Sequence, residues 1–269
     1  MSLYADSTKS LSISDLINMK QTGEKISCLT AYDASFASLL DQAGIDVILV
    51  GDSLGMVIQG HASTLPVTIQ DMVYHTRNVS AARKRAFVLA DLPFASYATP
   101  QQAVQNAAQL MQIAGAQMVK LEGARIDVIQ FLVEQGIPVC GHLGLLPQSV
   151  NQLGGYKVQG REPEQAEQIL NDALAIEQAG AKLLLLECVP ALLAAQITQA
   201  LTIPVIGIGA GADCDGQVLV LYDMLNISVG KRPRFSKNFM TGTNSIEEAI
   251  KSYLNAVKNH QFPAADHAY

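Results

Sequence analysis

The chain has 269 residues, of which 49% are hydrophobic and only 16% are charged. A soluble domain usually carries about 25% charged residues, so this composition excludes a disordered chain and favours extra surface buried between subunits. The net charge of -6 argues against a nucleic-acid-binding surface, which needs a basic footprint, and no apolar run reaches the ~18 residues that a membrane span requires.

The N-terminal segment and the cysteines bear on where the chain works. The opening residues, MSLYADSTKSLSISD, lack an apolar core and contain two acids, so we expect neither a signal nor a transit peptide. Four cysteines are scattered along the chain without a CxxC motif, which predicts reduced thiols and a cytoplasmic protein. They are Cys28, Cys140, Cys188 and Cys214.

Short apolar runs that end in a polar residue or a glycine cluster recur along the chain. Such near-continuous hydrophobicity is typical of parallel strands buried on both faces. The runs therefore predict the strands of a parallel sheet. In chain order they are ISCLTAYD (26–33), QAGIDVILVGD (42–52), RAFVLADLPF (85–94), IAGAQMVKLEG (113–123), EQGIPVCGHLG (134–144), QAGAKLLLLEC (178–188), ALTIPVIGIGAG (200–211) and the weaker MLNISVG (224–230).

The segments between these runs carry helix signals. Thr99-Pro100 starts one helix and Gly115 stops it, Thr68 starts another, and residues 164–179 place an apolar stripe on one face. Ser245 opens a last helix. Eight strand–helix units in about 250 residues predict an α/β fold of the (β/α)8 TIM-barrel type, with a doubly wound open sheet as the alternative.

No linker or change of composition divides the chain. We therefore expect one barrel domain over residues 1–269, with a helical extension at about 1–25 and a loose tail at about 259–269. Two connections are long, residues 53–67 after the second strand and residues 143–163 after the fifth. Long loops that follow barrel strands lie on the face where active sites form, so both are predicted lids.

Polar side chains follow or end five of the predicted strands. Because strand side chains alternate, residues at matching strand ends can converge on one mouth of a barrel. A lone acid at a strand end usually caps the next helix, and we read Asp33 in that way. A set of six polar residues at matching strand ends is harder to explain by capping alone. These residues are Asp52, Asp91, Lys120, Glu122, His142 and Glu187.

Four of those six residues are acidic. Carboxylates held together repel and raise one another's pKa unless a cation lies among them. Oxygen ligands suit Mg²⁺ better than Zn²⁺, and Lys120 would attract an anionic substrate. Two histidines can have structural rather than functional roles. His142 can be a buried core residue, and His61 can be a hydrogen-bonding residue of its loop. The glycines of GIGAG fit a phosphate loop or a close backbone approach equally well.

Seven blocks in order make the sequence specific: VGDSLGMVIQGHASTLPVT, ADLPF, VKLEG, VCGHLGLLPQSV, GGYKVQGR, LLECVP and IPVIGIGAGADCDGQVLV. Over residues 26–240 they closely resemble the ketopantoate hydroxymethyltransferase family. The resemblance implies a barrel related to the phosphoenolpyruvate/isocitrate lyase group. It also implies transfer of a one-carbon unit from 5,10-methylenetetrahydrofolate to 3-methyl-2-oxobutanoate, giving 2-dehydropantoate for pantothenate and coenzyme A synthesis. Mg²⁺, a cytoplasmic location and a homodecamer are further implications.

The resemblance also implies site residues, which we carry over by motif. Asp52, Asp91 and Glu122 are implied as the metal site. Ser53 and Lys120, with Asp52 and Asp91, are implied as contacts of the 2-oxo acid, and His142 is similar to a substrate-contacting histidine. Glu187 is implied as the group that accepts the C3 proton. Lys157 or Arg161, in the second predicted lid, could meet a folate glutamyl tail.

Elementary chemistry agrees with these assignments. A 2-oxo acid can chelate Mg²⁺, which would stabilise an enolate, and Lys120 would balance the excess of carboxylates. The apolar neighbours of Glu187 should raise its pKa towards neutrality. One alternative is an Mg²⁺-dependent 2-oxo-acid lyase or mutase that uses no folate. Such an enzyme would normally carry a catalytic cysteine in a lid, whereas Cys140 and Cys188 lie in apolar runs. Another is a non-catalytic binding or scaffold protein.

Overall fold

Eight parallel strands form a closed barrel in which each strand pairs with the next and β8 pairs with β1. The computed structural model describes residues 10–228 and 232–269. The barrel confirms the predicted fold and excludes the open doubly wound sheet. The strands are Ile26–Thr30 (β1), Val47–Val50 (β2), Phe87–Asp91 (β3), Met118–Glu122 (β4), Val139–Gly144 (β5), Leu183–Glu187 (β6), Val205–Ile208 (β7) and Gly216–Leu219 (β8).

Helices connect the strands and cover the outside of the barrel. The helix signals in the sequence are confirmed, because the side chains of Thr68, Thr99 and Ser245 each cap the helix that follows. Asp33 accepts a hydrogen bond from Phe36 N, as expected of a cap. The helices are Ile13–Thr22 (α1), Ala34–Ala43 (α2), Leu54–Val57 (α3), Ile69–Ala82 (α4), Pro100–Ala108 (α5), Ile126–Glu134 (α6), Val150–Leu153 (α7), Pro163–Gln178 (α8), Ala191–Ala200 (α9), Leu221–Met224 (α10) and Ile246–Lys258 (α11).

The eighth strand is not where the sequence predicted it. The run MLNISVG begins in α10 and continues into a turn, and its last two residues lie outside the described part of the chain. The strand that closes the barrel is Gly216–Leu219, which pairs with Ile26–Leu29 of β1. A side chain at Gly216 would place its Cβ 2.5 Å from the carbonyl oxygen of Ile26, so glycine allows this close approach.

The N-terminal end of the barrel is held by buried charge. Asp46 is fully buried and pairs with Arg85 Nη2 at 2.8 Å and Lys258 Nζ at 2.7 Å. It also accepts a hydrogen bond from Ser27 N. Burial alone would raise the pKa of Asp46, but Lys258, Ser27 N and Arg85 together outweigh it and the pKa is lowered. Structural ion pairs therefore lie at the end opposite the predicted mouth.

Both ends of the described chain pack against the rest of the protein. In the N-terminal region, helix α1 buries Leu16 and Met19. The tail differs from the loose segment expected: Phe262 is only 3% exposed and its ring packs 5.5 Å from that of Phe239. The final carbonyl, Tyr269 O, accepts a hydrogen bond from Ala191 N. Within the described residues, no helix is both long enough and apolar enough to cross a membrane.

Gly144 is the last residue of β5 and lies level with Glu187 of the neighbouring strand β6. Its φ of +93° is unfavourable for other residues, and a Cβ there would lie 2.2 Å from Glu187 O. We expect Gly144→Ala to lower the free energy of unfolding by about 2 kcal/mol or more, measured by urea denaturation, because left-handed strain and overpacking add. Gly136→Ala is the matched control: its φ is +78° with open space around it, so it should lose only about 1 kcal/mol. Equal losses would show that the contact with Glu187 does not matter.

Candidate active site

A cavity of about 720 Å³ opens at the C-terminal ends of the strands. In barrels of this type the loops that follow the strands build the active site at this face. The seven residues predicted to bind the metal or the 2-oxo acid or to accept the proton all line the cavity, as do His61 and Lys157 from the two predicted lids. The predicted site residues in its wall are Asp52, Ser53, Asp91, Lys120, Glu122, His142 and Glu187.

Strand register places the charged side chains next to one another. Lys120 of β4 is level with Asp91 of β3, and Glu122 is level with His142 of β5. Lys120 Nζ lies 3.0 Å from Asp91 Oδ1, with both side chains about 4% exposed. The adjacent acids raise the pKa of Lys120 despite its burial, so its ammonium stays charged. The ion pair therefore supplies one fixed positive charge in a pocket of carboxylates.

His142 lies between that ammonium and two acids. Its Nδ1 is 3.4 Å from Lys120 Nζ and 3.6 Å from Glu122 Oε1, while Nε2 is 3.4 Å from Glu187 Oε2. Burial, and then the charge of Lys120, lower the pKa of His142 well below its usual value, so the ring is neutral. Nδ1 can then accept from Lys120, which leaves the Nε2 proton facing the cavity. Nε2 is buried and has no aligned hydrogen-bond partner among the described residues.

Glu187 ends β6 and has the chemistry expected of a proton acceptor. Burial raises the pKa of its carboxyl group to about 8, although Lys120 partly opposes this effect. A base with a pKa near the working pH is suited to proton transfer. The next residue, Cys188, is buried as predicted and adopts a left-handed φ of +48°. Strained backbone of this kind persists where surrounding structure enforces it, and it often marks functional sites.

The three carboxylates implied as the metal site divide into a pair and a separate residue. Asp52 N donates to Asp91 Oδ2 at 3.0 Å, and burial together with Asp91 raises the pKa of the Asp52 carboxyl to about 7. Glu122 instead has one oxygen near His142 and the other bonded to Gln148 N. Among residues 10–228 and 232–269, no three His, Cys, Asp or Glu side chains form a group that could hold a metal ion.

That arrangement still fits Mg²⁺ at the aspartate pair. Mg²⁺ in enzymes commonly keeps several waters and uses only one or two protein carboxylates together with substrate oxygens. A cation beside Asp52 and Asp91 would relieve the repulsion that raises the pKa of Asp52. Glu122 is not part of that pair, since its oxygens contact His142 and Gln148.

The remaining predicted residues have varied surroundings. Ser53 Oγ lines the cavity and lies 2.9 Å from Tyr32 OH. Lys157 lines the cavity, whereas Arg161 is not among the residues described as lining it. The glycines of GIGAG allow close packing, since a Cβ on Gly207 would meet Cys214 Sγ at 2.8 Å and one on Gly211 would meet Ala191 Cβ at 2.7 Å.

Two residues that reasoning from sequence missed are Gln148 and Tyr97. Gln148, in the short 3-10 turn Pro147–Ser149, is buried and donates through Nε2 to Asp52 Oδ2 at 2.8 Å. Tyr97, in the loop after β3, donates its hydroxyl to Gln148 Oε1 at 2.6 Å. The only available signal was the position of each residue in a loop that follows a strand carrying a predicted ligand.

Comparison with known proteins gives a consistent assignment. A family model described as ketopantoate hydroxymethyltransferase matches residues 10–265. A relative in Nitrosococcus oceani, named 3-methyl-2-oxobutanoate hydroxymethyltransferase, is 60% identical over 261 residues, covering 96% of this chain and 99% of its own. One of the same name in Shewanella loihica is 60% identical over 258 residues, covering 95% and 97%.

Solved structures with similar backbones share much less sequence. A phosphonopyruvate hydrolase in complex with oxalate and Mg²⁺ superposes with a TM-score of 0.59 at 13% identity, covering 92% of this chain and 98% of its own. A 2,3-dimethylmalate lyase of the PEP mutase/isocitrate lyase superfamily gives 0.54 at 19% identity, covering 72% and 70%. At these identities the likeness establishes the fold alone, and that fold is the barrel expected from the sequence.

Proposed function

Because the chain belongs to the ketopantoate hydroxymethyltransferase family and is an enzyme of that activity, we propose that its barrel cavity performs the transfer with Mg²⁺ and a folate-borne one-carbon unit. The observation that carries the assignment of the site is the grouping of Lys120, the Asp52–Asp91 pair and Glu187 around one cavity. In this proposal the site holds an anionic 2-oxo acid, a divalent cation and a base.

The aspartate pair would hold the cation, with Glu122 further out. Two carboxylates and a 2-oxo acid offer oxygen donors, the type that Mg²⁺ prefers. When bound, the ion would act as a Lewis acid towards the keto oxygen of the substrate. The Nζ of Lys120 would attract the substrate carboxylate, and Ser53 Oγ would supply a hydrogen bond near it.

Glu187 would remove the C3 proton of 3-methyl-2-oxobutanoate. Its carboxylate takes the proton, and the electron pair of the C–H bond moves into the C2–C3 bond as the keto oxygen gains negative charge. The Nε2 proton of His142 faces the same cavity, where it can donate a hydrogen bond to substrate oxygen. Preorganised donors of this kind stabilise charge as it develops.

A folate donor is supported by the size of the cavity. A volume of about 720 Å³ lies within the roughly 300–1,000 Å³ typical of pockets for drug-sized ligands, whereas the 2-oxo acid is much smaller. The space beyond the acids is lined by Tyr156, Phe235 and Tyr269. We propose that 5,10-methylenetetrahydrofolate occupies this space, and that Lys157 contributes to binding its glutamyl tail.

Proton exchange tests this proposal without the donor. We expect the C3 proton signal of 3-methyl-2-oxobutanoate to disappear in D₂O with enzyme, Mg²⁺ and tetrahydrofolate, and to persist when EDTA is added. Adding methylenetetrahydrofolate should then produce a hydroxymethyl signal in the proton NMR spectrum. Metal-independent exchange would contradict the role of the cation, and exchange without any hydroxymethyl product would favour the lyase or mutase alternative.

The proposal also covers the oligomeric state and the cellular location of the protein. We propose a cytoplasmic homodecamer, in keeping with four free, buried cysteines and a surface that exposes large apolar side chains. Leu192 is 82% exposed and Ile113 is 57% exposed. Light scattering coupled to gel filtration should give the mass of ten chains, and a monomeric mass would contradict it.

A further inference from the structure

Gln148 contacts both acidic parts of the site. Its side chain donates to Asp52 Oδ2 at 2.8 Å, while its backbone N donates to Glu122 Oε2 at 3.0 Å. The residue is 5% exposed, so solvent does not compete for these bonds. A single residue of the loop after β5 therefore restrains carboxylates that belong to β4 and to the loop after β2.

The orientation of the Gln148 amide is fixed by its other partners. Nε2 also donates to the backbone carbonyl of Leu92, at 3.0 Å, and Oε1 accepts from Tyr97 OH, at 2.6 Å. Turning the amide over would put its oxygen against Asp52 and a carbonyl, so only the observed orientation satisfies every atom. Tyr97 is fixed in turn, because its hydroxyl accepts from Glu122 N at 3.3 Å.

We infer that Gln148 is a positioning residue for the divalent cation, because it orients Asp52. The hydroxyl of Tyr97 in turn holds the Gln148 amide in place. This inference rests on the proposed cation site at Asp52 and Asp91. The hydrogen bond occupies Oδ2 of Asp52 and sets the plane of the carboxylate, so the other oxygen has a defined direction. Groups that orient metal ligands in this way commonly contribute 10–100-fold to metal affinity.

Mn²⁺ binding measures this role directly. The signal of free Mn²⁺ in electron paramagnetic resonance reports binding without any catalytic turnover. We expect Gln148→Met, which preserves the length of the side chain but donates no hydrogen bond, to weaken Mn²⁺ binding by about 10–100-fold. Tyr97→Phe should weaken it by roughly 2–10-fold, the effect of one ordinary hydrogen bond, and should add little in the Gln148→Met background.

Gln159 offers a matched control in the same loop. It is also buried, but its amide donates to Lys157 O and accepts from Gln165 rather than contacting the acids of the site. Gln159→Met should therefore bind Mn²⁺ like the wild type. If circular dichroism shows that Gln148→Met does not fold, the Mn²⁺ affinity of Tyr97→Phe tests the inference instead.

Turnover distinguishes positioning from general support of the loop. Saturating Mg²⁺ should return kcat of Gln148→Met towards the wild-type value, whereas a loss that persists at every Mg²⁺ concentration would overturn the inference. Folded Gln148→Met with wild-type Mn²⁺ affinity would overturn it as well. Wild-type protein that binds no Mn²⁺ would instead overturn the proposed cation site itself.

Discussion

Glu187→Gln is expected to slow exchange of the substrate C3 proton by about 10²–10⁴-fold, because the amide keeps the shape of the side chain but cannot accept the proton. Proton NMR in D₂O, with Mg²⁺ and tetrahydrofolate present, measures this rate. Binding of the 2-oxo acid should be retained, since Lys120 and the aspartate pair are untouched. Exchange within ten-fold of the wild type would show that another group is the base.

A control and a stability measurement sharpen this test. Glu177→Gln removes a carboxylate on the outside of the barrel, bonded to Thr202 and Ile203, and should leave exchange unchanged. Glu187→Gln should also be as stable as the wild type or more stable above neutral pH. The pKa of Glu187 is raised from 4.5 to about 8 on folding, so this group lowers stability as pH rises between those values. The amide avoids that loss.

The same pKa predicts the pH dependence of the reaction. The proposed base, Glu187, would act in its deprotonated form. The kcat/KM for proton exchange should therefore rise with pH and level off near pH 8. A divalent cation in the pocket favours the charged carboxylate, so higher Mg²⁺ should move the rise to lower pH. A rate that falls over this range would contradict the assignment.

Lys120→Met is expected to lower turnover by at least about 10²–10³-fold, because it removes the fixed positive charge next to the developing negative charge. Steady-state formation of the hydroxymethyl product measures this loss. The free energy of unfolding should also fall, by about 3–5 kcal/mol, since Asp91 loses its buried partner. Mn²⁺ should bind at least as tightly as before, because Lys120 and the cation compete for the same carboxylate.

Lys25 provides the matched control for that substitution. Its Nζ donates to the carbonyls of Ala212 and Cys214 near the start of β1, at the opposite end of the barrel. Lys25→Met should lower stability and leave turnover per folded enzyme unchanged. Turnover of Lys120→Met within ten-fold of the wild type would contradict the role of the charge, whatever its stability.

Seven of the eight strands could be predicted because each is an apolar run bounded by turn residues. The eighth, Gly216–Leu219, has four residues, one of them a glycine and one a glutamine. Gln217 is buried in the barrel, where its amide donates to Gly211 O and its carbonyl accepts from Tyr253 OH. Tyr253 is distant in sequence, so the strand pattern could not reveal the tertiary role of this polar residue. The neighbouring MLNISVG looked more apolar.

The grouping of the charged residues around the cavity could be predicted because strand alternation and parallel register are regular. Lys120 meets Asp91 for that reason alone. The position of Glu122 relative to the aspartate pair could not be read from the sequence, since it depends on Gln148 folding back from a loop. A glutamine in a loop is usually solvated, so Gln148 carried no signal of its own. Loop residues that act by reaching another strand are therefore the part of the site that patterns do not predict.

The distribution of the acids over the barrel affects how the protein folds and survives. The proposed cation site combines Asp52 and Asp91, which follow β2 and end β3, with Gln148 from beyond β5. An incompletely formed barrel therefore lacks the assembled site. A ligand that binds only the native state stabilises it by mass action, by about 2.7 kcal/mol at one hundred times its dissociation constant. Cellular Mg²⁺ and substrate would then act as folding cofactors. The lifetime of the chain would follow the supply of its own substrate.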